Sequence, residues 1–301
     1  MRALKILAVV ICFSAMPLVA DQAFEPIGTT GVGVPPSPDS PMWDGPRAML
    51  HDNGSFTSHF GTGVGGADES WTQSSLGMTT WGFGAAFANG WWMADQFTIP
   101  PGETWDITNV TVFVYQSFAG TTSTINGVYL RLWDGMPGAG TVVWGDDTTN
   151  VMSSTGWTNV YRVTDTDTGA NSDRAIMANV ADVSVSLGEG TYWVDFSCTG
   201  TASSGPWAPP IVIMGNPTTG DGIQSVDFGV TYAAVADNGS ATAQGFPFII
   251  EGTSQGGGGG GGGGGGTGGV SNPIPTLSKT GIVVLILALI GISAVLIRRR
   301  M

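Results

Sequence analysis

The chain has 301 residues, and its 10 basic residues against 23 acidic ones give a formal charge of −13. Arg2 and Lys5 sit at one end and Lys279, Arg298, Arg299 and Arg300 at the other. The stretch between holds four arginines, no lysine and all 23 acids, a formal −19. Such a surface repels nucleic acid and anionic lipid, so nucleic-acid partners are excluded, while cations and neutral polymers are tolerated.

Residues 1–20 carry Arg2 and Lys5, then a short apolar run from Ile6 to Phe13, then Pro17 and a small residue at Ala20. This is the order of a secretory signal peptide, with a signal helix and cleavage expected after Ala20. Of the two cysteines, Cys12 leaves with the leader. Cys198 then has no partner for a disulfide, and its strand-like context predicts a buried, inert thiol.

Residues 21–90 are rich in Gly, Pro, Ser and Thr and show little periodicity, which predicts an irregular arm, either preceding the fold or integral to it. Short strands are expected around Ala48–His51 and near Trp71. From Asp95 the pattern has period two. Val110, Val112 and Val114 alternate with Thr111, Phe113 and Tyr115; Val128, Leu130 and Leu132 alternate with Tyr129, Arg131 and Trp133. Val183, Val185 and Leu187 repeat the pattern, and Phe246, Phe248 and Ile250 close it. Half-buried strands divided by Gly, Asn and Asp turns predict an all-β fold over residues 91–251: an antiparallel β-sandwich, jelly-roll-like.

Several side-chain groups are candidates for chemistry. His51 and His59 are the only histidines and lack metal-ligand spacing. Asp165, Asp167, Asn171 and Asp173 surround a glycine turn and offer oxygens to Ca²⁺, or simply form a solvated hairpin loop; no other cofactor is expected. Asp146-Asp147 is a weaker loop of the same kind. Eleven tryptophans is a high count. Trp133 and Trp193 fall opposite the aliphatic stripe, and these with Trp207 are the candidates for stacking on a glycan; Trp91, Trp92 and Trp144 are further choices. A hydrolase needs two carboxylates at a set separation. The five glutamates, Glu25, Glu69, Glu103, Glu189 and Glu251, mostly occupy turn-like contexts, and no nucleophile elbow or phosphate loop occurs. The chain is therefore expected not to be an enzyme.

Residues 252–273 form a linker, with eleven consecutive glycines from Gly256 to Gly266. As a coil it reaches roughly 25 Å. Gly281–Ile297 is a 17-residue apolar run with Ser293 its one polar member. As a helix it spans roughly 25 Å, enough for a single membrane crossing. Arg298, Arg299 and Arg300 follow as a stop-transfer cluster that holds this end in the cytoplasm.

Ile274-Pro275-Thr276-Leu277-Ser278, followed by Gly281, the apolar run and the arginines, resembles the IPTL-CTERM sorting signal over residues 274–301. Where that family commonly has an acidic residue and tryptophan, Lys279 and Thr280 stand here. The resemblance implies Gram-negative export, membrane anchoring and processing near the motif by an exosortase-type protease. Ala94–Pro100, Leu130–Gly135, Gly205–Pro210 and Gly245–Phe248 together resemble a group of secreted bacterial β-sandwich proteins, over roughly residues 50–251. That likeness implies architecture and no activity.

The expectation is an exported protein of the cell envelope or extracellular matrix. It is single-pass, with its main domain outside the cytoplasm, and is released to the outer surface if processed. Extracellular polysaccharide is the candidate partner, with a carbohydrate-binding module as the alternative role and a jelly-roll hydrolase as the second.

Overall fold

The computed structural model describes residues 22–28 and 40–256. The signal peptide with Ala20, the motif Ile274–Ser278, the apolar run 281–297 and Arg298, Arg299 and Arg300 lie outside the described residues. Among the described residues no helix is long and apolar enough to cross a membrane.

The described chain is all-β. Its strands are β1 (Phe24–Pro26), β2 (Met49–Asp52), β3 (Asp68–Thr72), β4 (Thr80–Gly84), β5 (Trp92–Val114), β6 (Ile125–Asp134) and β7 (Thr141–Gly145). They continue as β8 (Met152–Thr164), β9 (Ala175–Gly200), β10 (Trp207–Ala208), β11 (Ile223–Ser225), β12 (Ala233–Ala234) and β13 (Phe248–Gly256). Pairing is antiparallel except between β3 and β8, which run parallel.

Two very long strands organise the fold. β5 and β9 pair from Met93↔Phe196 to Val114↔Met177. The ladder breaks between Ile99 and Thr104, where Pro100 and Pro101 have no N–H to donate. Gly102 turns there with φ +79° and donates its N–H to Glu189 Oε2 at 2.6 Å. Either side of this break the two strands gather different neighbours. Near Met93 the order is β12-β11-β5-β9-β6-β7. Toward Val114, β13 and β2 extend from β5, and β8 and β3 from β9. The result is one sheet curled like a half-barrel.

The alternation read from the sequence sorts onto two buried faces. Val110, Val112, Val114, Val128, Leu130, Leu132, Phe246, Phe248 and Ile250 meet in the main core inside the curl. Cys198 joins them with Val194 and Phe196 and is fully buried, which pushes its thiol well above the ordinary range. Phe113 and Tyr115 face the other way and are also buried, against Phe56, Trp81, Val160, Ile176, Ala178 and Ile249. Phe56 and Trp81 come from residues 40–90. That segment supplies three strands of the fold and packs over a sheet face that sequence alternation alone would leave wet.

A small sheet, ordered β1-β4-β10, lies beside the curled one. Gln224 on β11 ties the two together. Its Oε1 accepts from Ala23 N–H at 3.0 Å, and its Nε2 donates to Ala23 O and Gly84 O, each at 2.9 Å. At the other end of the domain β13 runs on to Gly256, opposite Glu103. Residues 252–256, expected as linker, are therefore strand.

Two arginines are fully buried. Arg174 stacks over the Trp81 ring at 4.2 Å and donates from Nη2 to Glu25 Oε1 at 2.9 Å. Tyr115 Oη and Ser117 Oγ donate to the same carboxylate at 2.8 and 2.6 Å. Arg162 donates to the carbonyls of Trp81 and Trp71 and to Ser70 Oγ. Burial lowers its pKa to about 10. Glu69 is buried on β3, accepting from Thr62 Oγ1, Trp71 Nε1 and Gly169 N–H. Glu25 and Glu69 are thus strand carboxylates with their oxygens engaged.

Candidate functional site

The sequence candidates are not brought together. Trp133 and Trp193 face each other across β6 and β9, but both are buried at 9% and 8% exposure. β11 and the segment after it place Ile223 and Tyr232 over them. Trp133 Nε1 donates to Asp195 Oδ2 at 3.0 Å, in a network where Arg131 pairs with Asp195 at 2.8 Å. Tyr232 Oη accepts from Arg131 Nη2 and donates to Asp195 Oδ2. The Arg131 guanidinium also lies 4.0 Å over the Trp92 ring. These indoles are structural, and their faces are closed to a glycan.

The calcium candidates are also engaged locally. Asp165 accepts from the N–H and hydroxyl groups of Ser74 and Ser75. Burial raises its pKa, but those hydrogen bonds outweigh it and the net shift is down. Asn171 Nδ2 donates to Asp167 Oδ2, while Asn171 Oδ1 accepts from Asp173 N–H. The set closes hairpin turns and does not converge on one point. Among the described residues no group of three or more His, Cys, Asp or Glu is placed to hold a metal. Asp146 caps its own loop, and four hydrogen bonds from Thr148 and Thr149 hold its carboxyl down at about 2.

Two deeply buried acids are shifted well up, and partial burial raises half-buried Asp173 as well. Burial raises Asp95 to about 6, where Phe246 N–H and Gln96 N–H donate to it and, among the described residues, no cation pairs with it. Burial likewise raises Asp195, against the pull of Arg131, Tyr232 and Trp133. Neither acid lines either of the two clefts described below.

The third tryptophan differs. Trp207 on β10 is half-exposed and lies 5.6 Å from half-exposed Trp91, ring to ring, at 34°. Each indole rests against glycine backbone. A Cβ on Gly84 would come 2.3 Å from the Trp91 ring, and one on Gly205 would come 2.6 Å from Trp207 Cδ1. Only glycine lets both rings lie this close to the chain. Trp207 Nε1 donates to Ser204 Oγ at 3.0 Å, which fixes the indole's orientation.

These two rings line a groove of about 430 Å³ between the Phe87–Asn89 turn and residues 198–207. Asn89 and Ser203 are exposed in it, with Thr199 and Ser204 half-exposed. Phe87 extends the aromatic surface by stacking on Tyr129 at 3.8 Å. Among the described residues, no charged one lines the groove. The turn is held by Phe228 N–H donating to Gly90 O; Phe228 itself has φ +64° and is 65% exposed. Sequence reasoning gave Trp207, but Trp91 only as one of a tryptophan pair. Their meeting depends on β10 docking on β4, a contact spanning more than a hundred residues.

A second cleft, of about 640 Å³, lies under residues 42–48 and is lined by Thr108, Asn109, Ser153, Ser154, Thr155 and Glu251. No family model matches the chain, and no curated protein and no solved structure matches it.

Proposed function

We propose that this is an exported cell-envelope or extracellular-matrix protein whose β-domain works by binding and not by catalysis, with a neutral polysaccharide as the ligand of the Trp91–Trp207 groove. The observation that carries the reading is the pair of half-exposed indoles, set against glycine backbone in an uncharged groove with amide and hydroxyl groups around it. Aromatic faces pack on the C–H faces of sugar rings, and the polar groups supply orientation. A neutral ligand suits a domain of formal −19, which opposes polyanions. The buried, hydrogen-bonded state of Asp95 and Asp195, away from both clefts, supports binding over hydrolysis.

The jelly-roll-like sandwich reading rests on the two long strands that pass from one set of partners to another at the Pro100–Gly102 break. The address rests on the sequence: the leader ending at Ala20, the Ile274–Ser278 motif and the Arg298–Arg300 cluster. In it the apolar run anchors the chain while an exosortase-type protease acts near the motif, and the glycine linker keeps that motif accessible.

Three experiments test these clauses. Membrane fractionation should place the unprocessed full chain with membranes, and deletion of residues 281–301 should release it. Mass spectrometry of a mature C-terminus ending near Ser278 supports processing; a soluble chain with an intact tail contradicts the anchor. In affinity electrophoresis through neutral polysaccharides, the domain should be retarded by at least one of them. Combined Trp91→Ala and Trp207→Ala should weaken that binding by about tenfold or more, the loss of roughly 1.4 kcal/mol or more. Retardation unchanged in the double variant sinks the groove assignment.

A further inference from the structure

The two indoles of the Trp91–Trp207 groove are inclined at 34°, with centroids 5.6 Å apart. No single plane lies flat on both rings. The face of a crystalline polysaccharide is such a plane, with its chains aligned side by side. Against it one indole would make its full contact and the other would meet the surface on edge. Stacking depends on face-to-face contact, so a flat lattice gains little more from these two rings than from one.

The rings are recessed as well. Both are half-exposed, while Asn89 and Ser203 beside them in the groove are exposed. The groove's volume of about 430 Å³ falls within the ~300–1,000 Å³ usual for small-ligand sites. That is room for a few sugar units and not for an extended surface.

Both walls are tied in place. Gln116 is buried; its Nε2 donates to Ala202 O at 2.9 Å and its Oε1 accepts from Ala202 N–H at 3.2 Å. Thr201 N–H donates to Thr124 O at 2.9 Å. On the other wall Trp91 N–H donates to Ala86 O at 3.2 Å, and Ser197 Oγ donates to Trp91 O at 2.7 Å. The Phe228 ring backs the turn between them, since a Cβ on Gly90 would come 2.8 Å from it. Flattening the groove to meet a surface would break these bonds. A groove already formed loses little conformational freedom when a ligand enters.

We propose that the groove takes a single free chain of a neutral polysaccharide and passes over the ordered face of a crystalline one. Neighbouring sugar units lie on the two indoles, and their hydroxyls meet Asn89, Thr199, Ser203 and Ser204. A free chain twists between units to follow two inclined rings, which a chain locked in a lattice does not. The inference rests on the neutral-polysaccharide reading of this groove and narrows it to the soluble or disordered form of the ligand.

Two assays of the full chain in detergent micelles test this together. One is co-sedimentation with crystalline cellulose and crystalline chitin, each set against its acid-swollen, amorphous form. The other is affinity electrophoresis through soluble hydroxyethylcellulose, laminarin and glucomannan. Each crystalline and amorphous pair shares its chemistry and differs only in order. At least one soluble polymer should retard the chain. Any amorphous form that binds should do so at least about fivefold more tightly, per accessible area, than its crystalline counterpart, the ratio expected when one ring of two loses its contact. Retardation by a soluble polymer with no sedimentation on either crystal supports the proposal equally. Asn89→Ala and Ser203→Ala remove groups met only by a chain inside the groove, and each should weaken retardation by about threefold. Both positions are exposed, so these variants should keep the parent thermal midpoint. Binding to a crystalline form as tight as to its amorphous form, and lost in the Trp91→Ala, Trp207→Ala variant, overturns the single-chain inference and leaves the groove in place. Unchanged retardation in both Asn89→Ala and Ser203→Ala overturns it too. Retardation that survives in the double tryptophan variant, or no binding to any of these polymers, removes the groove reading and this inference with it.

Discussion

Replacing Glu25 by alanine is expected to destabilise the domain by about 3–5 kcal/mol, because buried Arg174 loses the carboxylate at 2.9 Å and keeps Asp173 only at 4.0 Å. For a domain of this size that lowers the thermal midpoint by roughly 6–20 °C. Glu25 is 2% exposed and Arg174 is fully buried. The carboxylate also accepts from Tyr115 and Ser117, so its loss strips two further buried donors of their partner. Trp81 feels the change as well, since Arg174 stacks on its ring and Arg162 holds its carbonyl. Glu25→Gln keeps the shape but turns an amide N–H₂ toward donors, so an intermediate loss is expected. Asp147→Ala, at an exposed turn, should stay within about 0.5 kcal/mol. Thermal unfolding by circular dichroism reads all three. A loss below 1 kcal/mol for Glu25→Ala would remove the pair from its place in the account. Glu25 lies only five residues beyond the expected cleavage after Ala20. The chain used must therefore be the processed one, with β1 free to dock on β4.

Raising the pH from 4 to 7 is expected to weaken the domain. Asp95 has its folded pKa near 6, above the ordinary 3.8. Between those values the folded state holds the proton more tightly than the unfolded state, so stability falls as pH rises. The stabilisation is complete below about 4 and lost once pH has passed about 6. For a buried group with this shift the loss is about 3 kcal/mol at most. Asp195 shifts in the same direction and adds to the slope. Asp146, exposed, and Asp227, half-exposed, are held down at about 2, so their smaller contributions are lost only as pH falls toward that value. The two windows do not overlap, and maximum stability is expected near pH 4. Asp95→Asn should flatten the decline between pH 4 and 7 by the Asp95 share. A midpoint that rises steadily from pH 4 to 7 in the parent chain would contradict the assignment.

Much of the sheet was legible because period two survives wherever a strand has one wet face. Val183, Val185 and Leu187 are such a stripe: Val183 and Leu187 are buried in the main core, while Asp182, Ser184 and Ser186 on the other face are exposed. The pattern failed where both faces are covered. β4, Thr-Trp-Gly-Phe-Gly, is buried at every position and reads as an irregular glycine-rich stretch. Trp133 and Trp193 show the same limit from the other side. Their face could be read from alternation, but the cover laid on it by Tyr232 and Ile223 comes from residues thirty or more positions further on. The roles of Glu25 and Glu69 were not legible, because a buried carboxylate in a strand is intelligible only with its donors in place. The Trp91–Trp207 groove was half legible. The tryptophans were countable, but the glycines that seat them, Gly84 and Gly205, carry no periodic signal.

The groove is tested most directly by following the indole N–H resonances of the isotope-labelled chain while a neutral oligosaccharide is added. The account predicts that the Trp91 and Trp207 signals shift together and saturably, with Ser203 and Ser204 amides following, while those of Trp133 and Trp193 stay still. Shifts at Trp133 or Trp193 with Trp91 and Trp207 unmoved, or no shift with any neutral oligosaccharide that retards the domain in a gel, would contradict it.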